Sequence, residues 1–165
     1  MMEVRHLTRC FGGRTVVSDL TFDVREGDIL GLVGPNGSGK TTTARLLAGV
    51  LEPTAGRITL YGRDSHCHPV DYRRLVGYLP EDAPAWGELR VREQLMQWGG
   101  ILGLSLRRCL QQMEWVLRVC GLDSYLERRI ETLSRGYRQR MGLAMAMLAN
   151  PSVLILDEPT LGLDP

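Results

Sequence analysis

Residues Gly34-Pro35-Asn36-Gly37-Ser38-Gly39-Lys40-Thr41 match the pattern G-x-x-x-x-G-K-[ST]. That spacing suits phosphate chemistry. Glycines let consecutive backbone N–H groups converge on phosphate oxygens, and a following helix adds the positive end of its dipole. Lys40 would reach the β- and γ-phosphates, and the Thr41 hydroxyl would hold Mg²⁺, with Thr42 next in the same helical start. A cation about 4 Å from a phosphate oxygen is worth roughly 4 kcal/mol at an intermediate effective dielectric, so a lysine belongs there and not merely a neutral donor.

A second group of residues carries complementary chemistry. Val153-Leu154-Ile155-Leu156 is an apolar run that ends in Asp157-Glu158. A carboxylate at the carboxyl end of such a strand is placed to ligate Mg²⁺, the role expected of Asp157. Glu158 would point elsewhere and take a proton from an attacking water, help that is typically worth about 10²–10⁴-fold.

These residues need elements to position them. Ile29-Leu30-Gly31-Leu32-Val33 reads as a buried strand feeding the loop, and Lys40–Gly49 as the helix leaving it, stopped by Gly49 and Pro53. Glu3–Leu7 and Val16–Val24 read as early strands, the second alternating in Val17, Leu20, Phe22 and Val24. Arg57–Tyr61 and Val76–Leu79 are further short strands. From about Val91 the periodicity becomes helical, over Val91–Leu104 and Leu106–Val119, although Gly99-Gly100 weaken the first. Trp98, Trp115, Met96 and Met113 read as helix packing and not as a cofactor box. Ser134 is an N-cap for a helix running to about Ala149, and Val153–Leu156 reads as a fully buried parallel strand.

Length and composition bound the rest. One domain is the natural count for 165 residues, and 44% hydrophobic residues suffice for a core. Twenty basic against nineteen acidic residues leave a net charge of +1, which argues against a nucleic-acid binder. The N-terminal residues do not form an apolar signal, and no apolar run reaches membrane-spanning length. Cys10, Cys67, Cys109 and Cys120 are scattered and read as reduced thiols of a cytosolic protein. His66-Cys67-His68 reads as a surface loop, because no second cluster of zinc-type spacing accompanies it.

Taken together, the stretches resemble the nucleotide-binding domain of an ABC transporter. Leu133-Ser134-Arg135-Gly136-Tyr137-Arg138-Gln139-Arg140 is similar to the signature motif, Leu154–Thr160 to Walker B, and Gly162-Leu163-Asp164-Pro165 to the D-loop. Phe11 lies where the family places the aromatic that stacks on adenine, and Glu81 where it places the Q-loop glutamine. The signature departs from the common pattern at Arg135 and Tyr137, as in ATPases of bacterial exporters. Glu81 would be a charged acceptor able to bind Mg²⁺ or a water.

The resemblance implies an α/β fold: a P-loop NTPase core with a mostly parallel sheet, an antiparallel N-terminal β part and a helical lobe. It places the core at residues 1–82 and 150–165 and the lobe at 83–149 of one ABC domain, incomplete at its C-terminus. It implies ATP and Mg²⁺, the latter on Thr41, Asp157 and Glu81. It also implies a dimer with a second nucleotide-binding domain, identical or different, in which Ser134, Arg135, Gly136 and Tyr137 face the partner's ATP and Asp164 lies at the seam. Membrane permease subunits would carry the coupling, and the chain would sit on the cytoplasmic face of the cell membrane. The alternatives are a soluble ABC-type ATPase and a non-catalytic ATP-binding remnant. A GTPase is disfavoured because there is no N-K-x-D segment.

The chain stops just after the D-loop. None of His6, His66 or His68 stands in the switch-histidine position. In the family, a further strand lies between the phosphate-loop and Walker B strands. The expectation is therefore a marginally folded chain and a poor ATPase.

Overall fold

The computed structural model describes residues 1–159, and two compact units divide the chain, Met1–Val76 and Gly77–Pro165. The expected D-loop, with Asp164, lies outside the described residues.

The first unit is built on a four-stranded antiparallel sheet. Strands β1 (Met2–Phe11), β2 (Arg14–Val24), β3 (Ala55–Leu60) and β4 (Arg63–Asp64) lie in the order β2-β1-β3-β4. β1 and β2 are longer than the sequence suggested, joined by a Gly12-Gly13 turn in which both residues have positive φ. The uneven spacing of Val17 and Leu20 has a cause. His6 (φ 51°) bulges from β1 and Asp19 (φ 48°) from β2, and the two side chains bond at 2.7 Å between Nδ1 and Oδ1. Each bulge shifts the register by one residue, so Val17 and Leu20 both turn inward. Helix α1 (Lys40–Leu47) buries Leu46 and Leu47, and the sheet buries Val4, Leu7, Ile58 and Leu60. The short helix α2 (Pro69–Arg74) buries Tyr72, whose hydroxyl donates to the Leu47 carbonyl at 2.6 Å.

One expectation fails here. Ile29–Val33 is not a strand and is not buried: Ile29 is 100% and Val33 98% exposed. The apolar run is real, but a strand exists only through ladder bonds to neighbours, and no described residue pairs with this stretch.

In the second unit, helices α3 (Val91–Ile101), α4 (Leu106–Cys120) and α5 (Arg135–Met147) enclose a core that includes Leu95, Met113, Val116, Leu117, Met141 and Leu148. Met113, Met96 and Trp98 join it as packing side chains, whereas Trp115 stays 42% exposed and takes no part. Gly99 has a structural purpose, since a Cβ there would meet the Cys109 sulfur at 2.3 Å. Burial pushes the Cys120 thiol up to about 11 and raises Cys109 as well, so both remain packed thiols at neutral pH.

Strand β5 (Val76–Leu79) pairs with β6 (Val153–Leu156) in a two-stranded sheet. β6 is half-buried and not fully buried as expected: Val153 and Ile155 face inward, while Leu154 and Leu156 are exposed. A two-stranded sheet covers one face of its strands, so the residues alternate.

Candidate functional site

In the first unit the phosphate-type loop takes the shape its glycines permit. Gly37 (φ 80°) and Gly39 (φ 94°) occupy the left-handed region, and Gly39 caps α1. A Cβ on Gly39 would meet the Val16 carbonyl oxygen at 2.8 Å, and one on Gly34 the Ser38 Oγ at 2.7 Å. At Gly39 glycine is a requirement of space and of backbone angle, whereas at Gly34 the close atom is the end of the Ser38 side chain, which can turn away. Between them Ser38 N donates to the Pro35 carbonyl at 3.2 Å, closing a turn that includes Asn36.

Lys40 lies across this loop. Its ammonium donates to the Gly34 carbonyl at 2.9 Å and to the Pro35 carbonyl at 3.1 Å. The positive charge is thus held over the curve of the loop by neutral acceptors, which leaves it uncompensated by any carboxylate among the described ion pairs. The first turn of α1, with Thr41 and Thr42 half-buried, adds the backbone N–H groups of a helix start. Thr43 is turned inward, its hydroxyl donating to the Gly39 carbonyl at 2.9 Å.

At the end of β1, Phe11 is 44% exposed, and the Arg9 guanidinium stacks over its ring with Cζ 4.4 Å from the centroid. Arg9 also donates from Nη1 to the Glu52 carbonyl at 2.8 Å. Sequence reading found Phe11 and missed Arg9. The signal was present, since residues two apart share one face of a strand.

In the second unit β6 delivers Asp157 and Glu158. Asp157 is 5% exposed and its backbone N–H donates to the Leu79 carbonyl at 2.9 Å, so β5 fixes the turn. Glu158 is exposed with φ 52°, an unusual backbone for a non-glycine residue and more so before Pro159. Such a position costs of order 1–3 kcal/mol.

Glu81 is exposed in the loop after β5. That loop is held from below by Gln94, a fully buried residue the sequence reading passed over. Its Oε1 accepts from Trp86 N at 2.9 Å, and its Nε2 donates to the Pro84 carbonyl at 2.8 Å. Ala83 rests against α5 at Gly142, where a Cβ would come within 2.4 Å of the Ala83 Cβ. A polar residue on the apolar Val91–Leu95 face of α3 was the available clue.

The signature-like stretch is a helix start. Ser134 caps α5, its Oγ accepting from Tyr137 N at 3.4 Å, with Arg135 and Gly136 in the first turn. Tyr137 is turned onto Tyr125, with ring centroids 4.0 Å apart, and Arg128 and Arg140 lie over the two rings. Its neighbouring hydroxyl raises Tyr125 above the ordinary tyrosine value. The exposed groups at this helix start are therefore the Ser134 hydroxyl and the Arg135 side chain.

The donors fit the groups such a site would bind. A Cβ at Gly39 would run into the Val16 carbonyl, and among the described ion pairs Lys40 has no carboxylate partner. Threonine hydroxyl and aspartate carboxylate are oxygen donors of the kind Mg²⁺ prefers. No cluster of three or more His, Cys, Asp or Glu residues among the described residues could hold a metal through protein ligands alone. Asp64, beside His66 and Cys67, instead accepts their backbone N–H groups.

A glycine-cradled lysine opening a helix, on an α/β chain with an acid-tipped strand, defines a P-loop nucleotide-binding protein. The family profile of the ABC transporter matches residues 17–161. The chain belongs to the ABC transporter ATP-binding family. The uncharacterized ABC transporter ATP-binding protein YxlF of Bacillus subtilis (strain 168) is 40% identical over 165 residues, covering 100% of this chain and 54% of that protein. The Nod factor export ATP-binding protein I of Paraburkholderia xenovorans (strain LB400) is 39% identical over 164 residues, covering 99% of this chain and 54% of that protein. A solved structure described as the ATP binding subunit of an ABC transporter superposes with a TM-score of 0.88 at 34% identity, covering 99% of this chain and 68% of that one. The chain spans about half the length of the curated relatives it matches. Among the described residues no helix is long and apolar enough to cross a membrane.

Proposed function

We propose that this chain is the ATP-binding and ATP-hydrolysing part of an ABC exporter, coupled to transport through separate membrane subunits. The observation that carries the reading is the loop Gly34–Thr41, curved by its glycines, with the Lys40 ammonium held at 2.9 Å and 3.1 Å across its own carbonyls. An ammonium held by neutral carbonyls is ready to exchange them for phosphate oxygens, a stronger, charge-assisted partner.

Each residue then has a task. Backbone N–H groups of the loop and of the first turn of α1 bind the β- and γ-phosphates, and Lys40 neutralises the charge that spreads over them during transfer. Phe11 stacks on the base. Thr41 and Asp157, with Glu81, would hold Mg²⁺, which would neutralise phosphate oxygens. Glu158 accepts the proton of the water whose oxygen attacks the γ-phosphorus. The bond from that phosphorus to the β,γ-bridging oxygen breaks, and ADP and phosphate leave. The strained backbone at Glu158 supports this role, since strained non-glycine positions concentrate at reacting groups.

Ser134, Arg135 and Gly136 would contact the γ-phosphate of a partner nucleotide-binding domain, with Tyr137 fixing the start of α5 and Asp164 at the seam. ATP bound between two such surfaces would hold them together, and hydrolysis would release them. The export direction rests on the relative named for Nod factor export and on the Arg135 and Tyr137 variants. The chain would work on the cytoplasmic face of the membrane through its permease.

The test is phosphate release from Mg-ATP by the wild-type chain and by Glu158→Gln. The variant is expected to lose at least about 100-fold in turnover while still binding ATP. Equal turnover by the two proteins would remove Glu158 from the chemistry. Where a neighbouring gene encodes a multi-span membrane protein, co-expression with it should bring the chain into the membrane fraction.

A further inference from the structure

We propose that Arg9 is a positioning residue for the nucleotide base, acting through Phe11; the proposal rests on the ATP-binding reading above. Phe11 has two ring faces, and the Arg9 guanidinium, 4.4 Å from the centroid, occupies one of them. Phe11 nevertheless remains 44% exposed, so surface is left for one planar base. The guanidinium thereby decides which face of the ring receives it.

Three observations make this more than a passing contact. Arg9 and Phe11 are two apart on β1, so the strand itself sets them on one face. The guanidinium is tethered by Nη1 to the Glu52 carbonyl at 2.8 Å, a main-chain acceptor that does not swing away. Its Nε is buried and has no hydrogen-bond partner among the described residues. The guanidinium thus keeps one hydrogen bond and its place over the ring at the expense of another bond.

The chemistry follows from the ring quadrupole. A cation over one face of a phenyl ring draws electron density toward itself. The opposite face becomes less electron-rich and stacks better on a neutral, electron-rich purine. The same cation disfavours a positively charged base. Arg9 thus adds to affinity for the nucleoside and contributes nothing to the grip on the triphosphate.

The experiment measures binding of ATP and of inorganic tripolyphosphate to the 165-residue chain by calorimetry. It uses the wild type, Arg9→Ala, Arg9→Lys, Phe11→Ala and the Arg9→Ala/Phe11→Ala double variant, each checked for an unchanged melting transition. Arg9→Ala is expected to weaken ATP about 3- to 10-fold and leave tripolyphosphate unaltered. Arg9→Lys, which keeps charge and loses the plane, should recover part of the loss. In the Phe11→Ala background, removing Arg9 should have no further effect on ATP. Equal weakening of ATP and tripolyphosphate by Arg9→Ala, or an undiminished effect without Phe11, would overturn the proposal. A wild-type chain that binds neither probe would instead overturn the nucleotide reading on which it stands.

Discussion

Gly39 shows how one residue decides whether a phosphate loop exists. It combines φ 94° with a 2.8 Å approach of any added Cβ to the Val16 carbonyl. Main chain cannot yield as a flexible side chain can. Gly39→Ala is therefore expected to cost about 1–3 kcal/mol in chemical denaturation and to weaken triphosphate binding at the same time. A variant that keeps wild-type stability would mean the loop is not held against β2 as described. Gly34 has a softer neighbour, the Ser38 hydroxyl, and should tolerate alanine better. This part of the site was legible in the sequence because the pattern is local: eight consecutive residues carry both the geometry and the charge. Arg9 was legible only with the strand register, and Tyr137's commitment to Tyr125 not at all, since those residues meet through tertiary folding.

At the scale of elements, the helical unit is tied to its loops by polar side chains as much as by its core. Gln94 bridges Trp86 N and the Pro84 carbonyl from a fully buried position on α3. A second set of bonds joins the stretch before α5 to the start of α3: Val91 N donates to the Arg128 carbonyl at 3.1 Å, and Ile130 N to the Leu89 carbonyl at 2.9 Å. Arg90 and Arg92 share Glu127 at 3.3 Å, both exposed pairs of small individual worth. The loop bearing Glu81 and the segment leading to Ser134 thus lean on one helix. Gln94→Leu would leave two backbone groups without their partner, at about 1–3 kcal/mol each if they stay buried. It should lower the melting temperature and open the loop at residues 80–90 to limited proteolysis. Unaltered cleavage there would show that Gln94 is not what holds it.

The sequence pattern named α3, α4 and α5 nearly to their ends, because helical periodicity and a cap such as Ser134 are local signals; the caps Ser105 and Gly121 of α4 were signals of the same kind that the reading did not use. The strands were harder. The run Ile29–Val33 has the composition of a core strand, yet pairing is supplied by other segments, and none of the described residues supplies it. The bulges at His6 and Asp19 left only the irregular spacing of Val17 and Leu20 as a trace.

At the scale of the whole molecule, each unit contributes different chemistry. Met1–Val76 carries the anion cradle and the aromatic platform, and Gly77–Pro165 carries the carboxylates and the capped signature helix. Membership of the ABC ATP-binding family follows from the match over residues 17–161. The account of what this chain does depends on the cradle. The most direct measurement is a calorimetric titration of Mg-ATP into the wild-type chain and into Lys40→Ala. The account predicts saturable binding at one site by the wild type. It also predicts a loss of at least about tenfold in the variant, the lower end of what one ammonium near phosphate supplies. Wild-type affinity retained by Lys40→Ala, or no binding by the wild type, would contradict it.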